Sequence, residues 1–126
     1  MGAWGHAFNA NDDAADWLAA FEDAPSWTMV AGALKLNDGH IEAVTGSEAV
    51  AAAELVAAGL GKPHAELAPE LADWAAENSQ GSELLREPAR KALATLLNGS
   101  ELQELWDETG DTTWRDEIAD LQARLN

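Results

Sequence analysis

Cysteine is absent from this 126-residue chain, which rules out a disulfide scaffold, a thiolate metal site and a cysteine nucleophile. Basic residues are scarce: seven Lys and Arg face 23 Asp and Glu, a formal net charge of −16. Phosphate neutralisation needs cations, so direct nucleic-acid binding is not expected, and anionic membranes are disfavoured for the same reason. Long apolar runs are also missing. The longest, residues 49–60, is interrupted by Glu54 and is too short to span a bilayer. The N-terminus, Met1-Gly2-Ala3-Trp4-Gly5, has neither a basic n-region nor an apolar h-region, and His6 stands where a myristoylation motif wants Ser or Thr. A cytoplasmic protein is the expectation.

Histidine is equally sparing. His6, His40 and His64 form no HExxH or ExxH pattern and no mutual helical spacing, so no metal site and no cofactor are expected. Nothing resembles a nucleophile elbow, and Gly59-x-Gly61 lacks the strand and length of a phosphate loop. No catalytic constellation stands out.

The acidity is spread evenly. Residues 1–60 hold nine acids and one base, and residues 61–126 hold fourteen and six, so each half carries −8 and there is no acidic tail. One reading is a solvated surface that confers solubility. The other is a face complementary to a basic partner, as in a nuclease inhibitor or DNA mimic.

What the chain has in abundance is apolar spacing of three and four residues, the period of a helix. Ala14, Trp17, Leu18 and Phe21 form one stripe, opened by Asn11 and Asp12 as cap candidates and closed before Pro25. Ser26 can cap a second, with Trp27, Val30, Ala31 and Leu34. Over residues 34–44 two conformations compete: a helix with a Gly-containing stop at Asp38-Gly39 and an extended return, which we favour, or a short hairpin. Residues 47–60 are nearly all Ala, Val and Leu. Such a helix has no polar face and belongs at the centre, with Gly59 and Gly61 stopping it.

Pro69 sits where a first-turn proline belongs, ahead of Leu71, Trp74 and Ala75. Leu84, Leu85, Ala89, Leu93, Leu96 and Leu97 make the next stripe, in which Pro88 marks a first turn or a kink. Ser100 and Gln103 form a capping-box pattern before Leu102, Leu105 and Trp106. The last stripe is Trp114, Ile118, Leu121 and Leu125, with Asp111, Thr112 or Thr113 as its cap. The expected fold is all-α: residues 1–126 as a single helical domain, a compact bundle of six or seven short helices around a central helix at about 47–60.

Six tryptophans are present, and five of them (Trp17, Trp27, Trp74, Trp106 and Trp114) lie on apolar stripes, where they read as core. Trp4 lies outside any stripe, between Gly2 and Gly5. It is either a plug folded over a helix seam, or a pocket wall or partner anchor. Asn9, Asn11, Asp12, Asp13 and Asp16 open like a calcium loop, but Ala14 replaces the required Gly and Ala20 the bidentate Glu. Acids meeting the positive end of a helix explain them better.

Glu54 is the anomaly, a carboxylate on the helix expected to be most buried. It must be neutral, face a cleft, or be paired with a Trp N–H, His40 or an Arg. A raised pKa would also suit it to general acid or base work. Glu83 and Glu87 stand three and four residues before Arg86, Arg90 and Lys91, which points to intrahelical pairing of this basic cluster.

The opening Met1-Gly2-Ala3-Trp4-Gly5, the run Asn11-Asp12-Asp13-Ala14-Ala15-Asp16-Trp17 and the later Ala51-Ala52-Ala53-Glu54-Leu55-Val56-Ala57-Ala58 together resemble a bacterial family, the one catalogued as domain of unknown function 4259. Ser100-Glu101-Leu102-Gln103-Glu104-Leu105-Trp106 and the terminal Arg124-Leu125 extend the resemblance over nearly the whole chain. In that family a Phe often stands two residues before the Asn-Asp pair; here that place is Asn9, preceded by Phe8. The resemblance implies a small stand-alone bacterial domain and supplies no activity, substrate or cofactor.

Two functional expectations follow. The first is a non-enzymatic acidic binding or regulatory domain, inhibitor-like or immunity-like, with a basic protein partner, acting as a monomer or homodimer. The second is an enzyme or a small-ligand or metal pocket built from Trp4, His6, Asn11, Asp12, Asp13, Asp16 and Glu54.

Overall fold

A segment of Ala, Val and Leu with no polar face is stable as a helix only when other elements surround it. The computed structural model describes residues 12–36, 41–64, 67–98, 100, 104, 108 and 113–126. These residues contain six helices: α1 (Asp12–Asp23), α2 (Trp27–Leu34), α3 (Ala43–Gly59), α4 (Pro69–Glu77), α5 (Ser79–Leu97) and α6 (Thr113–Arg124). α3 touches each of the other five, most extensively α5. The result is an all-α bundle built around its Ala/Val/Leu-rich helix, and no helix among the described residues is long and apolar enough to cross a membrane.

α3 begins at Ala43 rather than at residue 47. Ser47, the expected first residue, lies inside the helix and is buried. Glu42 takes the extended cap conformation without a side-chain cap bond, and the Gly46 amide donates to its carbonyl at 2.9 Å. Val44 and Thr45 in this added turn face solvent, while Gly46 and Ser47 are buried. At the other end the Lys62 amide donates to the Ala57 carbonyl and the Gly61 amide to that of Ala58, both at 3.0 Å, with Gly61 at φ +88°. This is a Schellman stop, and Gly61 supplies its left-handed residue.

Gly59 has a different job from the stop expected of it. It is the last residue of α3, where a Cβ would overlap the Ser82 side chain of α5 and meet the Ala75 carbonyl of α4 at 3.1 Å. Its bare backbone lets three helices converge.

Between α2 and α3 the hairpin alternative is overturned. α2 ends at Leu34, and Ile41 forms a single parallel bridge with Ser100 instead of pairing with residues 34–36. The extended return is present at Ile41, while Asp38-Gly39 lies outside the described residues. Ser26 caps α2 as expected, accepting from the Thr28 amide at 3.1 Å, and Pro69 opens α4.

Pro88 is not a first-turn proline: α5 starts nine residues earlier, at Ser79, and runs through it. Pro88 is exposed, so the Leu84 carbonyl that loses its amide partner lies on the solvent side. Leu84 itself is 80% exposed and drops out of the apolar stripe, which is carried by Ala89, Leu93 and Leu96. α3 and α5, at 17 and 19 residues, are also longer than the short helices expected.

Trp17 and Trp114 are core residues, whereas Trp27 and Trp74 are half-buried at its edge. Trp17 stacks on Phe21 at 5.6 Å, Phe21 meets Trp74 edge-on at 5.2 Å, and Trp74 contacts Trp27 at 4.9 Å. Trp106 and the Gln103 capping position lie outside the described residues.

Candidate functional site

α3 carries Glu54 into its seam with α6, where the side chain is 2% exposed. Arg124, at the end of α6, meets it with a two-pronged guanidinium: Nη1 donates to Oε1 at 2.7 Å and Nη2 to Oε2 at 3.0 Å. The remaining Nε donates to Asp120 Oδ2 at 2.8 Å, one turn back on the same helix. Nη1 also reaches the Lys62 carbonyl at 3.2 Å, beside the Schellman stop of α3. Planar donors matched to a carboxylate give Arg the geometry that Lys lacks. Of the three partner types considered for Glu54, the Arg is the one present among the described residues, and His40 lies outside them.

A second pair flanks the first, with His64 Nε2 3.5 Å from Glu117 Oε2. Burial pushes the Glu54 carboxyl above its ordinary value. The Arg124 hydrogen bond and charge and the His64 charge draw it back, while Glu117 adds to the rise. For Arg124 burial works against the charged guanidinium, but the bonds and charges of Glu54 and Asp120 outweigh it and hold its pKa up.

Both Glu54 oxygens are thus occupied. Proton transfer to a substrate would require breaking a buried bidentate pair, so the local chemistry is that of a lock between α3 and α6. Removing one partner of such a pair leaves a charge stranded in the interior.

The other candidate residues lie elsewhere. Trp4, His6 and Asn11 are outside the described residues, and Asp12 is described only as the first residue of α1. Asp13 is half-buried and Asp16 exposed on that helix. Asp13 acts on a carboxylate that sequence reasoning did not single out, Glu48 of α3. Partial burial and then repulsion from Asp13 raise the pKa of Glu48. The charge neighbours of Glu54 come from α6 and from His64, and that of Glu48 from α1. Among the described residues no group of three or more His, Asp or Glu is placed to hold a metal ion.

The surface charges segregate by helix. α1 and α4 contain no Lys or Arg. Exposed acids stand on both, Asp16, Glu22 and Asp23 on α1 and Glu70, Asp73 and Glu77 on α4. The last three are spaced at i, i+3 and i+7, hence on one side of the helix. Glu22, Asp23 and Glu77 lie in last turns, where the negative end of the helix dipole repels them. Helix stability alone does not favour acids there. On α5 two of the three cations are paired as their spacing predicts, Arg90 Nη1 to Glu87 Oε1 at 2.8 Å and Arg86 Nη2 to Glu83 Oε2 at 3.4 Å, whereas Lys91 makes no such pair among the described residues.

Arg124 is the residue that sequence reasoning did not identify as the partner of Glu54, having proposed only an Arg. A usable signal existed in the scarcity of cations, because once Arg86, Arg90 and Lys91 are assigned to Glu83 and Glu87 few remain to neutralise Glu54. No curated protein matches the chain, and no solved structure does. The family described as a domain of unknown function (DUF4259) matches residues 2–117, and the chain belongs to it.

Proposed function

We propose that this protein is a non-enzymatic acidic binding domain, inhibitor-like or immunity-like, that engages a basic protein in a bacterial cytoplasm. The observation that carries this reading is the cation-free exterior of α1 and α4, with acids even at helix C-termini where the dipole opposes them. Arg86, Arg90 and Arg124, by contrast, are tied to carboxylates. A like-signed surface steers an oppositely charged partner and rejects anionic ones. The competing pocket of Trp4, His6, the acids of residues 11–16 and Glu54 would need a free Glu54, and that carboxylate is spent on Arg124.

The test is affinity capture from the native cells on the immobilised chain, at low and at high salt. A triple variant, Glu70→Gln, Asp73→Gln, Glu77→Gln, is run alongside the wild type. The reading expects a basic protein retained at low salt, released at high salt and weakened by the triple variant. Retention that neither salt nor the triple variant alters would overturn it.

A further inference from the structure

The cations of this chain are too few to be scattered without consequence. Arg86, Arg90 and Arg124 pair with carboxylates, and Arg115 is also engaged. Lys35, Lys62 and Lys91 remain, all exposed. Two of these three, Lys35 and Lys91, line the same cleft, of about 520 Å³, between the end of α2 and the flank of α5.

Four of the eight residues lining that cleft are apolar. Leu34 and Leu36 contribute from the α2 side, and Pro88 and Ala92 from α5. Glu87 also lines the cleft, and its Oε1 already accepts from Arg90 at 2.8 Å. The Thr95 hydroxyl donates to the Lys91 carbonyl at 3.0 Å, so its proton is used within the helix. Two lysines without a carboxylate partner among the described residues therefore line a partly apolar cleft on a protein whose net charge is −16. The volume falls within the common range for small-molecule sites, roughly 300–1,000 Å³.

From this juxtaposition we infer that the cleft between α2 and α5 binds a small amphiphilic carboxylate, its head between Lys35 and Lys91 and its short tail against Leu34, Leu36, Pro88 and Ala92. The charge complementarity is local and works against the field of the whole molecule. It therefore selects a singly charged head with an apolar tail, since further negative charge adds repulsion from the rest of the surface. This inference is independent of the basic-partner reading, which concerns α1 and α4.

The probe is decanoate, titrated into the full isotopically labelled chain and followed by backbone amide shifts. Decanol serves as the uncharged control and Lys62→Gln as the control for general charge. Saturable shifts are expected at Leu34, Lys35, Leu36 and Lys91 to Thr95, with decanol much weaker. Lys35→Gln and Lys91→Gln should each weaken decanoate about fivefold, the upper end for an exposed ion pair, and Lys62→Gln should leave it unchanged. Both lysines are exposed, and circular dichroism verifies that the variants keep their helices. Non-saturating shifts, shifts spread over the whole chain, or equal weakening by Lys62→Gln would overturn the proposal.

Discussion

α3 and α5 are the two longest described helices and pack on one another, yet they reach stability in opposite ways. Thirteen of the 17 residues of α3 are buried, without a break from Ala49 to Gly59, so three turns of it face protein on every side. Only five of the 19 residues of α5 are buried, and these form one stripe. The consequence shows in their carboxylates. Glu54 of α3 needs a bidentate guanidinium from a distant helix, while Glu83 and Glu87 of α5 make local pairs at i+3 in contact with water. The same residue types form ion pairs in both places, and burial decides what each pair is worth.

The largest expected effect comes from breaking the buried pair on the Arg side. Arg124→Met strands Glu54 and should cost about 3–5 kcal/mol, read as a fall in the urea midpoint. Adding Glu54→Leu should recover most of that loss, because two apolar side chains remove the stranded charge together. If the single variant unfolds no more easily than wild type, the lock between α3 and α6 does not exist. Next is the α3–α5 contact itself. Gly59→Ala drives a methyl into Ser82 and against the Ala75 carbonyl, and should cost about 1–3 kcal/mol. Ser82→Gly in the same chain should return part of it, which thermal unfolding of the pair would show.

A smaller effect is proton-linked. The Glu54 and Glu48 carboxyls are raised in the folded protein, each chiefly by burial, above the ordinary glutamate value of about 4.3. A raised folded pKa means that the native state holds its proton more tightly than the unfolded chain does. The associated stability is full below the unfolded value and fades as pH rises through the folded ones. Denaturant midpoints should therefore decline as pH rises above the unfolded value of about 4.3, and Glu48→Gln with Glu54→Gln should flatten the decline. A midpoint that climbs with pH over that range contradicts it. The smallest effect belongs to α5: Arg90→Gln breaks an exposed pair and should cost less than about 1 kcal/mol, vanishing in high salt.

Much of the architecture was legible in the residues because helices announce themselves through local periodicity. The stripe Trp114, Ile118, Leu121 and Leu125 is buried throughout, and the Ser26 cap and the Pro69 start stand where their chemistry predicts. The α5 ion pairs were legible for the same reason, since both partners lie within one turn. Errors arose where local preference met long-range packing. The central helix starts at Ala43, before the expected residue 47, and Leu84 has the spacing of a core residue and faces water.

The order of residues by itself determined that this chain would form a helical bundle, that its most apolar helix would be central, and that Glu54 would need a partner there. Those outcomes depend on hydrophobic period and on the cost of an unpaired buried charge, both of which are local properties. Only the tertiary structure decided that the partner is Arg124, 70 positions away, that Gly59 is a meeting point of three helices rather than a stop, and that two of the three exposed lysines share one cleft. Contacts between residues so far apart in sequence are set by how helices dock, and docking leaves no period in the chain.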